Sequence, residues 1–135
     1  MGARPDEETL VVDEEQGIVR VRQSVRDMAR SQGFGLVDQT KLVTAASELA
    51  RNCLIHGGGG TCRIEVVQGG DRTGLKLTVS DSGPGIADVS EALRDGFTTI
   101  SGLGLGLGGA RRLVHEFNID SRPGEGTTVT AVRWR

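Results

Sequence analysis

Residues 81–86 read D-S-G-P-G-I and follow an apolar alternation, L-K-L-T-V-S, at 75–80. Hydrophobic residues at every second position mark a buried strand, so the Asp81 carboxylate is expected at that strand's end. Gly83 and Gly85 permit positive φ and let a flat ligand approach the backbone without an intervening Cβ, while Pro84 stiffens the turn between them. An isolated D-x-G-x-G also ends ordinary strands. This one gains weight from its place between E-L-A-R-N at 48–52 and a glycine run, G-L-G-L-G-L-G-G, at 102–109. The three pieces in that order point to a nucleotide site.

Upstream, Asp38 is the expected N-cap of a long helix reaching about Leu54, stopped by glycines 57–60. At the helical period Leu42, Ala46, Leu49 and Cys53 form an apolar stripe, and Glu48 and Asn52 fall together on its edge, one turn apart. A carboxylate and an amide oxygen on such a rim suit a metal or substrate. Asn52 is the natural Mg²⁺ ligand, since Mg²⁺ takes few protein ligands and bridges phosphate oxygens readily. Glu48 can instead accept a proton from an incoming hydroxyl, because phosphoryl transfer asks mainly for positioning and charge stabilisation.

Gly104, Gly106 and Gly109 spell G-x-G-x-x-G, but the dinucleotide version needs a preceding strand, a following β-α-β unit and an acid about 20 residues on. Only 26 residues follow Gly109 and Asp120 arrives too early, so that fold is rejected. A helix start that offers free N–H groups to phosphate survives, with Leu107, Ala110, Val114 and Phe117 as the helix's buried face. No P-loop pattern exists and the lysines are Lys41 and Lys76, so phosphate charge must be met by backbone N–H groups, a metal and arginine. Thr127, after Gly126, can hydrogen-bond a base alongside Asp81 or stand as an ordinary strand threonine. His56 suits a helix C-terminus and is given no catalytic part. His115, Arg111 and Arg112 read as a solvated helix face, and Trp134 as a partly buried strand anchor.

Composition narrows the classes. The chain has 135 residues, 36% hydrophobic and 25% charged, which fits one compact domain over 9–135 with a charged, disordered start at 1–8. A net charge of −2 and four aromatics (Phe34, Phe97, Phe117, Trp134) leave neither the basic field nor the stacking platforms of a nucleic-acid binder. No run of about 18 apolar residues and no apolar signal core occurs, so a cytoplasmic, membrane-free location is expected. Cys53 and Cys62 lack metal-site spacing and read as free buried thiols.

Short strands are expected at 9–12 and 18–21 around an acidic turn, then a helix at 21–30 with Val21, Val25, Met28 and Ala29 on one side. After the long helix come strands at 63–68 and 75–81, a short helix at 89–94, a glycine-bracketed lid at 96–104, a helix at 105–116 and strands at 117–121 and 127–133. Strands arrive in adjacent pairs without β-α-β alternation, so the fold class is α+β, a two-layer sandwich of a mixed sheet and helices.

E-L-A-R-N, D-S-G-P-G-I, G-L-G-L-G-L and G-T-T (126–128) together resemble the gyrase, Hsp90, histidine kinase and MutL ATPase superfamily, with its left-handed ATP-binding sandwich. Residues 32–52 (Q-G-F-G-L-V-D-Q-T-K-L-V-T-A-A-S-E-L-A-R-N) and 95–107 (D-G-F-T-T-I-S-G-L-G-L-G-L) look like the RsbT-type switch serine/threonine protein kinases in particular. The resemblance implies ATP and Mg²⁺ as cofactors. It also implies STAS-domain antagonist and scaffold proteins of the stressosome as substrates, and a PP2C-type phosphatase as the partner then activated. Carried over, Asp81 would hold the adenine amino group with Thr127 in support, Asn52 would bind Mg²⁺ and Glu48 would act as base. Gly102, Gly104 and Gly106 would wrap the phosphates. Gly83, Gly85 and Ile86, with Leu103 and Leu105, complete the cofactor-binding set. N-C-L-I-H-G at 52–57 departs toward the anti-sigma kinase branch, which keeps direct binding of a sigma factor as an alternative. An ATP-gated binding module that transfers no phosphate is a further one. A histidine autokinase is disfavoured, because no acceptor His or dimerisation helix pair precedes the ATP motifs.

Overall fold

The computed structural model describes residues 6–85 and 107–135. Among them, strand β1 (Glu7–Val12) is followed by helices α1 (Glu15–Ser31) and α2 (Leu36–Gly57) and by strands β2 (Gly60–Gly69) and β3 (Arg72–Asp81). Helix α3 (Leu107–Arg112) and strands β4 (Glu116–Ser121) and β5 (Thr127–Trp134) complete the chain. The five strands form one open sheet in the order β1-β2-β3-β5-β4, and the helices pack on one face. The α+β two-layer reading holds. The expected mixed sheet does not, because each described strand pairing is antiparallel. Two of these pairings are hairpins, since β2 turns into β3 through Gly70 and Asp71 and β4 returns as β5; β5 then pairs with β3.

The sheet's period of two sorts its faces. Cys62 and Ile64 on β2, Leu75, Leu77 and Val79 on β3, and Val129 and Ala131 on β5 are buried toward the helices. Ile18, Val21, Val25 and Met28 of α1 and Leu42, Ala46 and Leu49 of α2 close the core from the other layer. No helix among the described residues is long and apolar enough to cross a membrane.

Several boundaries differ from expectation. β1 begins at Glu7, two residues earlier than read. Residues 18–21 are not a strand but the first turns of α1: Ile18 and Val21 are buried at an i, i+3 spacing, while Val19 between them is 43% exposed. The acidic turn is only a corner, and Gly17 is needed there because a Cβ would lie 2.8 Å from the Val11 carbonyl oxygen. Gly35, not Asp38, caps α2. Asp38 lies in the first turn, where Arg133 of β5 donates to its Oδ1 from Nη2 at 2.6 Å and Nε at 3.2 Å. Helix α3 ends at Arg112 rather than 116, since the His115 N–H already pairs with the Val132 carbonyl and Arg133 Nη1 takes the Leu113 carbonyl at 3.0 Å. Sheet pairing thus claims Phe117 for β4. The expected helix at 89–94 and lid at 96–104 lie outside the described residues, as do residues 105 and 106 of the helix expected at 105–116.

Arg133 therefore joins the start of α2 to the segment after α3, with only 13% of its side chain exposed against 34% for Asp38. Arg133→Met should lower unfolding free energy by about 1–2 kcal/mol, the range of a charged hydrogen bond reduced for partial exposure. Urea unfolding of Arg133→Met, Asp38→Asn and the double variant checks this. Strictly additive losses would show that the pair is not coupled.

Candidate functional site

One row of residues crosses the helix-facing side of the sheet at its upper edge: Val12, Gly60, Asp81, Thr127 and Ser121 are successive register partners. Asp81 and Thr127 thus sit side by side because β5 pairs with β3. The Gly83 N–H donates to Asp81 Oδ1 at 2.9 Å, a turn closed by the side chain, which leaves Oδ2 for another donor. Gly126, at φ 83, precedes Thr127, and a Cβ there would lie 2.2 Å from the Asp81 carbonyl oxygen. Thr127 is 5% exposed, with its hydroxyl 2.7 Å from Ser121 Oγ; Ser121 Oγ also donates to the Gly126 carbonyl at 3.2 Å. The two hydroxyls share a hydrogen bond in which either can donate, and it fixes the orientation of Thr127.

The G-P-G turn is braced from the other side. The Gly124 N–H donates to the Pro84 carbonyl at 2.7 Å, and Gly85, at φ 79, has no room for a Cβ beside the Arg122 carbonyl. Gly83 and Gly85 therefore form the turn that follows Asp81. Ile86, Gly102, Leu103, Gly104, Leu105 and Gly106 lie outside the described residues.

Helix α2 supplies the second half. Asn52 is 7% exposed, and its Oδ1 has no hydrogen-bond donor among the described residues. A buried carboxamide oxygen left unpaired costs about 1–3 kcal/mol, and a water, an ion or a ligand oxygen shell would offset that cost. Its free lone pairs are what a hard cation takes. Among the described residues no group of three or more His, Cys, Asp or Glu side chains could hold a metal. A Mg²⁺ ion at Asn52 would accordingly take its other oxygens from phosphate and water. Glu48 is half-buried one turn earlier on the same rim.

Cys53, beside Asn52, lies under the end of β3, and its thiol points to the Ser80 carbonyl at 3.7 Å. Burial, followed by the negative charge of Asp81, pushes that thiol up to about 11, and burial followed by Cys53 pushes Cys62 up to about 12. Both are free, buried and protonated at neutral pH. Burial lowers the pKa of His56 in the last turn of α2, which favours the neutral imidazole. Trp134 lies over Gly69 and Gly74 and donates to Glu116 Oε2 at 2.8 Å, in keeping with a strand anchor.

The site also uses residues that the motifs did not single out. Ser121 supports Thr127, and Gly57 and Cys53 carry α2 onto the end of β3. Ser121 has no sequence signal. Gly57 sat in a glycine run that reads only as a helix stop.

The profile of the histidine kinase-, DNA gyrase B- and HSP90-like ATPase family matches residues 37–135. The chain is 44% identical to the serine/threonine-protein kinase RsbT of Bacillus subtilis over 96% of its own length and 97% of that protein. It is 35% identical to an anti-sigma F factor of Anoxybacillus flavithermus, over 73% of this chain and 70% of that one. A crystal structure of RsbU and RsbW domains from Mycobacterium tuberculosis superposes with a TM-score of 0.62 at 22% identity, covering 98% of this chain and 33% of that one. That likeness is one of fold.

The two halves of the site make separable predictions for nucleotide binding by calorimetry. Asp81→Asn should weaken ATP by about 1–3 kcal/mol, the range for a hydrogen bond to a charged group. Asn52→Ala should lose the Mg²⁺-dependent part of the affinity and retain the rest. An Asn52→Ala variant with undiminished Mg²⁺ dependence would remove the metal from α2.

Proposed function

The chain belongs to the histidine kinase-, DNA gyrase B- and HSP90-like ATPase family and, within it, to the group of the kinase RsbT, and from that premise we propose that it is a Mg-ATP-dependent serine/threonine protein kinase. The observation that carries the reading is the buried Asn52 Oδ1, unpaired among the described residues and one turn from Glu48 on a helix whose far end abuts Asp81. One helix then serves the phosphate end of a nucleotide while the β3 end serves its base.

In this reading Asp81 accepts the exocyclic amine of adenine, and Thr127, oriented by Ser121, supports the ring. A guanine would present a carbonyl to the same carboxylate and be repelled. Gly83, Gly85 and Ile86 line the base, and Gly102, Leu103, Gly104, Leu105 and Gly106 wrap the phosphates with backbone N–H groups. Mg²⁺ at Asn52 would neutralise phosphate charge. Glu48 takes the proton of the acceptor's serine or threonine hydroxyl as its oxygen bonds to the γ-phosphorus and the bond to the ADP oxygen breaks. The acceptor is a STAS-domain protein and the second partner a PP2C-type phosphatase in a partner-switching pathway, all in the cytoplasm.

Direct capture of a sigma factor is the second reading. Two observations favour it: the anti-sigma F factor likeness, and His56 at the fourth position after Asn52.

Incubation with labelled Mg-ATP and, separately, a STAS-domain protein and a sigma factor separates the readings. Transfer to a STAS serine or threonine is expected, with Glu48→Gln retaining nucleotide binding and losing at least about a hundredfold in rate, the low end for a general base. Stable sigma-factor capture without transfer would replace the kinase by the anti-sigma reading. Nucleotide-dependent partner binding with no transfer would leave a binding module. Equal rates for Glu48→Gln and wild type would remove the base.

A further inference from the structure

Gly57 ends α2 against the carboxylate that ends β3. A Cβ built on it would lie 2.2 Å from Asp81 Cγ, 2.5 Å from Oδ2 and 2.6 Å from Cβ, distances at which one group must leave. The carboxylate has little freedom to do so. Its Oδ1 is held by the Gly83 N–H, and Gly83 is itself pressed on Gly57, since a Cβ there would lie 2.7 Å from Gly57 Cα and 2.8 Å from the Gly57 oxygen. The ends of α2 and β3 therefore interlock with the carboxylate between them.

Backbone conformation does not explain the glycine. Gly57 is not among the positive-φ glycines; the left-handed cap of α2 is Gly58, at φ 75, and the Gly59 N–H closes the end by donating to the Cys53 carbonyl. Alanine is the better helix former, so propensity would favour it at 57. The three nearest atoms that a side chain at 57 would meet among the described residues all belong to Asp81, and that contact asks for its absence. Because Oδ1 is already engaged, the oxygen beside Gly57 is the one left to read a ligand.

We propose that Gly57 is a positioning residue for base recognition: the bare Cα at the end of α2 fixes the Asp81 carboxylate so that Oδ2 meets the exocyclic amine of adenine. This rests on the reading of Asp81 as the adenine acceptor. The same contact registers base recognition against Asn52 on α2, so the helix sets the span of the nucleotide.

The test compares Mg-ATP with the Mg²⁺ complex of purine riboside triphosphate, which lacks the 6-amino group, by calorimetry on the full chain. Wild type should prefer ATP by about tenfold or more, as expected for a hydrogen bond to a charged group. Gly57→Ala should bring the two ligands to near equality by weakening ATP alone. Gly58→Ala is the control: it carries the φ strain, yet a Cβ there meets nothing within 4 Å, so it should lower the melting temperature and keep the preference. A preference lost in Asp81→Asn but kept in Gly57→Ala, or an equal loss of both ligands in Gly57→Ala, would overturn the positioning role and leave the Asp81 reading in place. A preference kept in Asp81→Asn would remove that reading and this one with it. If Gly57→Ala does not fold, Gly57→Ala with Asp81→Ser should, because the smaller side chain vacates the contact. Failure of that double variant while Asp81→Ser alone folds would also overturn the proposal.

Discussion

The close approach of α2 to the upper edge of the sheet governs this molecule. Along its buried face α2 carries Ala45, Ala46 and Ala50 beside the larger Leu42 and Leu49, so the helix axis can lie low on β2 and β3. At its end the side chains shrink to nothing. Gly57 meets Asp81, Gly60 leaves no room for a Cβ beside the Ser80 carbonyl, and the Cys53 thiol fills the gap beneath. An apolar core holds the layers together without direction. The polar edge, built of backbone contacts and one carboxylate, sets their register.

That arrangement places two polar groups where burial is costly. Asn52, 7% exposed, has an oxygen unpaired among the described residues, and Thr127, 5% exposed, has its hydroxyl paired with Ser121. Burying an unpartnered polar atom opposes folding, whereas a ligand that pairs it in the folded state alone adds stability by mass action. The site is thus polarised. The end at β3 is pre-built by hydrogen bonds among Asp81, Gly83, Ser121 and Thr127, and in the proposed reading it takes the base while Asn52 takes the metal.

Much of this was legible in the chain. Alternation at 75–80 placed Asp81 at a strand end, and helical spacing placed Glu48 and Asn52 on one rim. The failures share a cause, since short windows satisfy two periods at once. Ile18 and Val21 fit a helix's i, i+3 spacing as well as a short apolar strand, and Val114 and Phe117 look helical until β5 claims the backbone. Asp38 has the chemistry of a cap, but Arg133, 95 positions away in the chain, takes its carboxylate. The antiparallel sheet follows from β5 inserting between β3 and β4, a choice among strand neighbours that no local pattern records. Gly57 was invisible for a simpler reason: in a run of four glycines, one required by contact looks like one required by backbone conformation.

In the proposed reading a single nucleotide spans from Asn52 to Asp81. Paramagnetic broadening in amide spectra tests it most directly, with Mn²⁺ substituted for Mg²⁺ in the ATP complex. The expected result, with Mn²⁺ added in trace amounts, is broadening that is strongest at the Asn52 side-chain amide and weaker at the Gly83 and Thr127 backbone amides, which in the Mg²⁺ complex shift with ATP. An Asn52 signal that stays sharp, or broadening that centres on Gly83, would contradict it.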